Sequence, residues 1–404
     1  MNSFVLDRAT LWLGDGSART GHVIVNDGRI ETITDGRYCG PLPATDLTGM
    51  AISPGLIDLM VLGAFDKSIL RDDPTDIARH YLPLGVTSLL FCNGTLPWEL
   101  LAPLAKNLRR ATDYTGLDAA RAWGVYSEGP LVHPDCVGGG IRSHVVTPTL
   151  ENVQVMLDTF GDMLRLINIS PGTEGDVEAI RLAVKAGKNV SMAHSAAPAD
   201  RVLRCVEAGT TVLGHCWDNN VGLLGDSGVQ QPTIEQVAFT DDRVRWIHII
   251  SDGVHVHPIM IDLVRRARGL EAICLVTDAN QKAGTPDGEF VRDNGDIFYK
   301  KGGVCRKKRD DGLAGSATFL PDDFRNFVRF TGVKPHEAIR TVTLNPAQSI
   351  GIDDQVGILA AGRTADLVAW DDHLCVQRIW RAGREIAPNH DIAETKLSQP
   401  VSLS

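Results

Sequence analysis

The stretch Val190–Asn220, VSMAHSAAPADRVLRCVEAGTTVLGHCWDNN, decides how the chain is read. It opens on a short apolar run, Val190–Ala193, that suits a buried strand and stops at His194. A helix-like segment, Ala199–Ala208, follows, and a second apolar run, Thr211–Gly214, leads into His215. Strand, helix and strand in this order form the unit of a parallel sheet, whose neighbouring strands need a crossover between them. Each of the two strands carries a histidine just past its end.

The same alternation extends both ways. Further apolar runs occur at Ile57–Leu62, Val86–Cys92, Ala122–Ser127, Leu164–Ile169, Arg245–Ile250 and Ala272–Thr277, with helix-like segments such as Pro97–Arg110, Leu150–Phe160 and Val177–Ala186 between them. Eight strands alternating with helices predict a (β/α)8 TIM-type barrel, which takes roughly 250 residues. The chain ends read differently. Ala9–Leu13, His22–Val25 and Ile30–Ile33 at one end, and Leu367–Trp370 and Val376–Trp380 at the other, are β-rich and broken by turn signals. Residues 1–53 together with 354–391 are therefore expected to form one small β-sandwich domain. Residues 54–353 form the barrel, and 392–404 a polar tail.

Bulk properties narrow the function. The 404 residues carry a formal net charge of −10, which argues against nucleic acid or an anionic membrane as the main partner. No apolar run approaches the ~20 residues that span a bilayer, and MNSFVLDRATLWLGDG lacks a signal-peptide core, so a cytoplasmic location is expected. The eight cysteines form no CxxC pair and read as scattered thiols, not as a disulfide frame.

The residues just past the strands carry the chemistry. Glu128 succeeds the third, His194 the fifth, His215 the sixth, His255 comes shortly after the seventh, and Asp278 ends the eighth. A barrel brings its C-terminal strand ends to one mouth, where active sites lie. A lone histidine or acid at a strand end is more often structural, but five at separate strand ends point to a common site. Imidazole nitrogens with a carboxylate make a mixed set suited to zinc, with a position left for water.

At these residues the chain resembles a known family. SPGLIDL (Ser53–Leu59), SEGP (Ser127–Pro130), MAHS (Met192–Ser195), GHCWDNN (Gly214–Asn220), SDGVH (Ser251–His255), LVTDAN (Leu275–Asn280), LAGSA (Leu313–Ala317) and TLNPA (Thr343–Ala347) occur in order. GILAAGRTADLVAW (Gly357–Trp370) closes the series. Together they are similar to the amidohydrolase superfamily, and within it to the N-acetylglucosamine-6-phosphate deacetylases. The resemblance implies one divalent metal on Glu128, His194 and His215, with Asp278 as general base. It implies substrate contacts from His255, with Trp217 and Asn219 lining the pocket. Zinc is the expected ion, with iron or manganese as alternatives, and a homodimer the expected assembly. Many relatives carry a second metal on a His-x-His pair after the first strand; here those positions are the apolar Met60 and Leu62.

Two departures shape the substrate expectation. The family's carbonyl-polarising histidine falls on Gly140 in VGGGIRSH, which leaves Arg142 and His144 as nearby substitutes. The family's phosphate-binding arginine, eleven residues past the histidine matching His215, falls on Asp226, and the usual Asn-Ala pair is Asp218-Asn219. No arginine occurs between Trp217 and Asp242. Carboxylates facing a phosphate repel it. The expected function is a metal-dependent deacetylase of an N-acyl amino sugar or similar small N-acyl compound without a phosphate. The sugar phosphate, a deaminase or cyclic-amide hydrolase, and a non-catalytic scaffold stand as alternatives.

Overall fold

β1 (Leu56–Val61) is buried at all of its positions, as a strand covered on both faces must be. In this computed structural model, which describes residues 3–220, 223–224, 228–291 and 296–389, β1 begins an eight-stranded parallel sheet. It pairs with β2 (Val86–Asn93), and the order continues through β3 (Arg121–Ser127), β4 (Leu164–Asn168), β5 (Asn189–Met192), β6 (Val212–Leu213), β7 (Trp246–Ile249) and β8 (Ile273–Leu275). Each strand lies within two residues of its sequence expectation at either end. The circle closes just past β8, where Ala279 bridges to Val61 and its carbonyl accepts from Leu62 N at 3.0 Å. Asp58 reinforces this seam from inside. Its carboxylate accepts from the Thr277 hydroxyl at 2.6 Å and from Met60 N at 3.1 Å, and burial pushes its pKa up. That seam fixes the backbone beside Asp278.

Two apolar layers hold the barrel. Ile57, Leu59, Leu90, Tyr126, Leu166, Val212, Ile250 and Cys274 pack inside it, with Ala347, Ile350 and Ile352 joining the same cluster from beyond the sheet. The outer layer lies between strands and helices. Helix Leu101–Thr112, for example, buries Leu101, Leu104, Ala105, Leu108 and Ala111, the spacing of one helical face. A fully buried leucine or isoleucine contributes about 1.5–3 kcal/mol. Asn345 of the TLNPA motif has a structural task, donating to Leu270 O and Ile273 O, both at 2.7 Å, where β8 begins.

Both chain ends share the small β-domain. One hydrogen-bonded path joins Phe4–Trp12, Ala18–Asn26 and Arg29–Asp35 to Ala51–Pro54, and then to Leu367–Trp370, Val376–Arg381 and Arg384–Ile386. Leu6, Leu11, Val23, Val25, Ile52, Leu367 and Trp380 form its core. The expected tail at 392–404 lies outside the described residues. A four-stranded antiparallel sheet that the alternation did not predict comes after β8: Gly288–Val291, Ile297–Lys301, Val304–Lys307 and Leu313–Ser316. Among the described residues no helix is long and apolar enough to cross a membrane.

Candidate active site

Glu128, His194 and His215 meet at the C-terminal mouth of the barrel. Glu128 Oε1 stands 2.7 Å from His194 Nε2 and 2.8 Å from His215 Nε2, and the two nitrogens are 3.0 Å apart. Among the described residues this is the one group of three whose donor atoms converge as metal ligands, and all three side chains are buried. The donor chemistry fits a divalent ion. His194 Nδ1–H donates to Cys136 O at 2.6 Å, which leaves the Nε2 lone pair facing the centre. Burial raises the pKa of Glu128, but hydrogen bonds from His194 and His215 outweigh it and hold the group well below the usual carboxylate range, as a ligand must be. Cys92 Sγ lies 3.8 Å from Glu128 Oε2, yet burial, with the Glu128 charge, pushes its thiol far up and keeps it neutral. The three residues form a candidate divalent-metal site. Leu62 lines the cavity and Met60 is fully buried, and neither side chain carries a nitrogen or oxygen donor.

Asp278 faces the same space. Its backbone and that of His194 take left-handed angles, each with φ of 52°, a conformation that costs roughly 1–2 kcal/mol for a residue with a Cβ. Two such residues at one mouth mark a place where surrounding structure overrides local preference. Burial and then the charge of Glu128 push Asp278 up to about 8. A cation beside it favours the ionised carboxylate, the form able to accept a proton. Gly315, of the LAGSA motif, presses on this residue from the other side. A Cβ there would lie 2.9 Å from Asp278 O and 3.4 Å from Oδ2, at a φ of +67°.

His255 is buried beside the cavity and does not form part of its wall. Asp252 holds it: Nδ1 donates to Oδ2 at 2.6 Å, while Val254 N and His255 N both donate to Oδ1 at 2.8 Å. Burial pulls the imidazole down, but the charge and hydrogen bond of Asp252 outweigh it, and His255 reaches about 9. It is therefore a cation at neutral pH. Its Nε2 is buried and without a hydrogen-bond partner among the described residues.

The cavity has a volume of about 120 Å³. Leu62, Ile69, Leu70 and Leu96 give it an apolar wall, and Asn93, Asn219, Asn280 and Gln281 a polar one. Asp218 and Asn219, both expected at the substrate, line it. Asp218 Oδ2 also faces His215 Nδ1 at 3.8 Å. Trp217 does not line it, contrary to expectation. Its ring packs edge-on against Phe239 at 5.1 Å. Arg142 and His144 are also absent from the wall. Arg142 is largely exposed and pairs with Asp135 at 2.7 Å. Gly140 does line the cavity, but a Cβ on it would lie 2.9 Å from Thr95 Cβ, so the neighbouring residue fills the space of a side chain. Asp226 lies outside the described residues.

Sequence reading missed Asp252, Gly315 and the link between the ligand loops. Glu235 accepts from Trp217 N at 3.2 Å and from Asn220 Nδ2 at 2.7 Å, and Asn220 Oδ1 accepts from Ser195 N at 3.1 Å. The loops after His194 and His215 are thereby tied together. SDGVH and LAGSA were visible as motifs; Glu235 gave no signal.

Comparison with known proteins agrees with this geometry. The amidohydrolase family model matches residues 202–399. The N-acetylgalactosamine-6-phosphate deacetylase of Escherichia coli O157:H7 is 31% identical over 376 residues, covering 92% of this chain and 95% of that protein. The N-acetylglucosamine-6-phosphate deacetylase of Vibrio furnissii is 28% identical, over 88% of this chain and 87% of that one. Among solved structures, a mutant N-acetyl-D-glucosamine-6-phosphate deacetylase from Mycobacterium smegmatis, in complex with N-acetyl-D-glucosamine-6-phosphate, superposes with a TM-score of 0.87 at 25% identity. That match covers 95% of this chain and 99% of the other.

Proposed function

The chain belongs to the amidohydrolase family, as a hydrolase of non-peptide carbon–nitrogen bonds, and on that premise we propose that it removes the acetyl group from an N-acetylhexosamine 6-phosphate. The observation that carries the reading is the convergence of Glu128, His194 and His215 with Asp278 at one barrel mouth. Zinc is the proposed ion, and a homodimer in the cytoplasm the proposed setting. The expected unphosphorylated substrate finds no support and is corrected. The relatives just described are deacetylases of 6-phosphosugars, and the charge argument leaned on Asp226, outside the described residues. Asp218, the other acid invoked, has the His215 imidazole beside it.

Glu128, His194 and His215 would hold a divalent ion, which would supply Lewis acidity to the amide carbonyl and lower the pKa of water toward roughly 7. Asp278 takes the proton of the attacking water and returns it to the amine nitrogen as the carbon–nitrogen bond breaks, since an amine anion leaves poorly. His255, raised to about 9 by Asp252, lies buried beside the cavity, and its charge favours an anionic oxygen of the substrate there. Asn93, Asn219, Asn280 and Gln281 offer neutral hydrogen bonds suited to sugar hydroxyls.

The test is to supply metal-replete protein with N-acetylglucosamine 6-phosphate, N-acetylgalactosamine 6-phosphate and their unphosphorylated forms. Stoichiometric acetate release, faster with a phosphorylated sugar, is expected. Ammonia release without acetate would move the chain to the deaminases, and no turnover of any amide would leave a binding protein.

A further inference from the structure

Among the described residues that line the cavity there is no lysine or arginine. One cation nevertheless stands at its rim, brought there by the inserted sheet. Lys307 ends the strand Val304–Lys307, and its side chain is only 11% exposed. Its ammonium donates to Gly138 O at 3.0 Å, a contact across 169 positions of sequence. Gly138 sits between Val137 and Gly139, both in the cavity wall, and a Cβ on it would meet Asn219 Nδ2 at 2.6 Å. On its other flank Lys307 packs on Gly312, where a Cβ would lie 2.8 Å from Lys307 Cε and 3.0 Å from Nζ; the next residue, Leu313, is again wall. The ammonium thus lies between Gly138, which has a wall residue on either side, and Gly312, which precedes another.

Other lysines of this insertion point elsewhere. Lys300 Nζ donates to the carbonyls of Lys282 and Thr285, and Lys282 pairs with Asp66. Lys307 retains donor capacity. An ammonium has three N–H groups, of which one goes to Gly138 O and one to Asp310 Oδ2 at 3.3 Å. Asp310 is about half exposed, so solvent screens its hold.

We propose that Lys307 is a specificity-determining residue that supplies the cation for the phosphate of the substrate, the phosphate displacing Asp310 from the ammonium. This rests on the deacetylase reading given above. The Gly138 carbonyl keeps the ammonium at the rim, and the burial of its stem holds it there as a point charge, which suits a phosphate oxygen.

The test compares the metal-loaded wild type with Lys307→Met, Lys307→Arg and Asp310→Asn on phosphorylated and unphosphorylated N-acetylhexosamines, with inorganic phosphate as a competing inhibitor. Lys307→Met is expected to raise KM for the phosphorylated sugar by about tenfold or more, with kcat little changed, and to weaken inhibition by phosphate in parallel. Its kcat/KM for the unphosphorylated sugar should hold. Lys307→Arg should keep most of the preference, and Asp310→Asn should lower KM for the phosphorylated sugar. Equal loss on both substrates would reduce Lys307 to a structural role and overturn the proposal. So would an intact preference in Lys307→Met beside a wild type that prefers phosphate. A wild type with no such preference would instead overturn the substrate reading, and the role of Lys307 with it.

Discussion

The floor of the cavity and its rim are built in opposite ways. On the floor, Glu128, His194, His215 and Asp278 each sit within three residues of a barrel strand, and all are buried. The seam at Asp58 and the Glu235–Asn220–Ser195 link fix the backbones beside them. At the rim, the loop of Val137–Gly140, the segment at Asp218–Asn219 and the inserted sheet meet through glycines and one long-range lysine bond. The floor has little freedom because metal chemistry tolerates little displacement. The rim decides what is held, and loops on a rigid scaffold can change without disturbing the floor.

That contrast predicts a gradient of effects. The largest belongs to His215→Ala, which should abolish metal binding and acetate release together, as read by metal content and turnover on the same sample. Retained metal with lost activity would detach His215 from the centre. Asp278→Asn should keep the metal and lower kcat by roughly 10²–10⁴-fold, the usual worth of general acid–base catalysis. Loss of less than about tenfold would assign the proton to another group.

Asp252→Asn probes the boundary between floor and rim. Without the Asp252 charge, burial acts on His255 against only the weaker pull of Asp218 and Asp278, and its pKa falls from about 9. The alkaline limb of the kcat/KM profile should then move from near pH 9 to lower pH. The stability sign comes from the same shift. A histidine raised above its unfolded pKa of about 6.5 stabilises the fold fully below that pH and loses the contribution as pH rises through 9. The Tm difference between wild type and variant should therefore shrink over that interval; an unchanged profile and a constant difference would remove the pair from both roles.

The smallest effect is expected at Trp217, whose ring packs on Phe239. Trp217→Phe should cost about 1 kcal/mol of stability and leave KM for the phosphorylated sugar nearly unchanged. A large rise in KM would restore Trp217 to the cavity wall.

The floor was legible in sequence and the rim was not, for the same physical reason. A buried parallel strand is an apolar run, and in a barrel the residue just after it is at the mouth, so Glu128, His194, His215 and Asp278 could be placed without coordinates. Side-chain direction in the turns beyond is not legible in sequence: Asn219 faces the cavity, while Trp217 two positions earlier packs its ring on Phe239. Arg142 and His144 were near the site in sequence, but Gly140 packs on Thr95 and Arg142 pairs outward with Asp135. No arginine lies between Trp217 and Asp242, and the proposed cation, Lys307, sits on a different element, joined to the rim through Gly138. Sequence distance is a poor guide where sheets are inserted.

Anomalous diffraction from crystals of the metal-loaded protein tests the central claim most directly. One peak per chain is predicted, bonded to Glu128, His194 Nε2 and His215 Nε2 at about 2.0–2.2 Å if the ion is zinc, with Asp278 facing it across the cavity. A second peak beside Leu62, or a single peak whose ligands omit any of the three, would contradict the account.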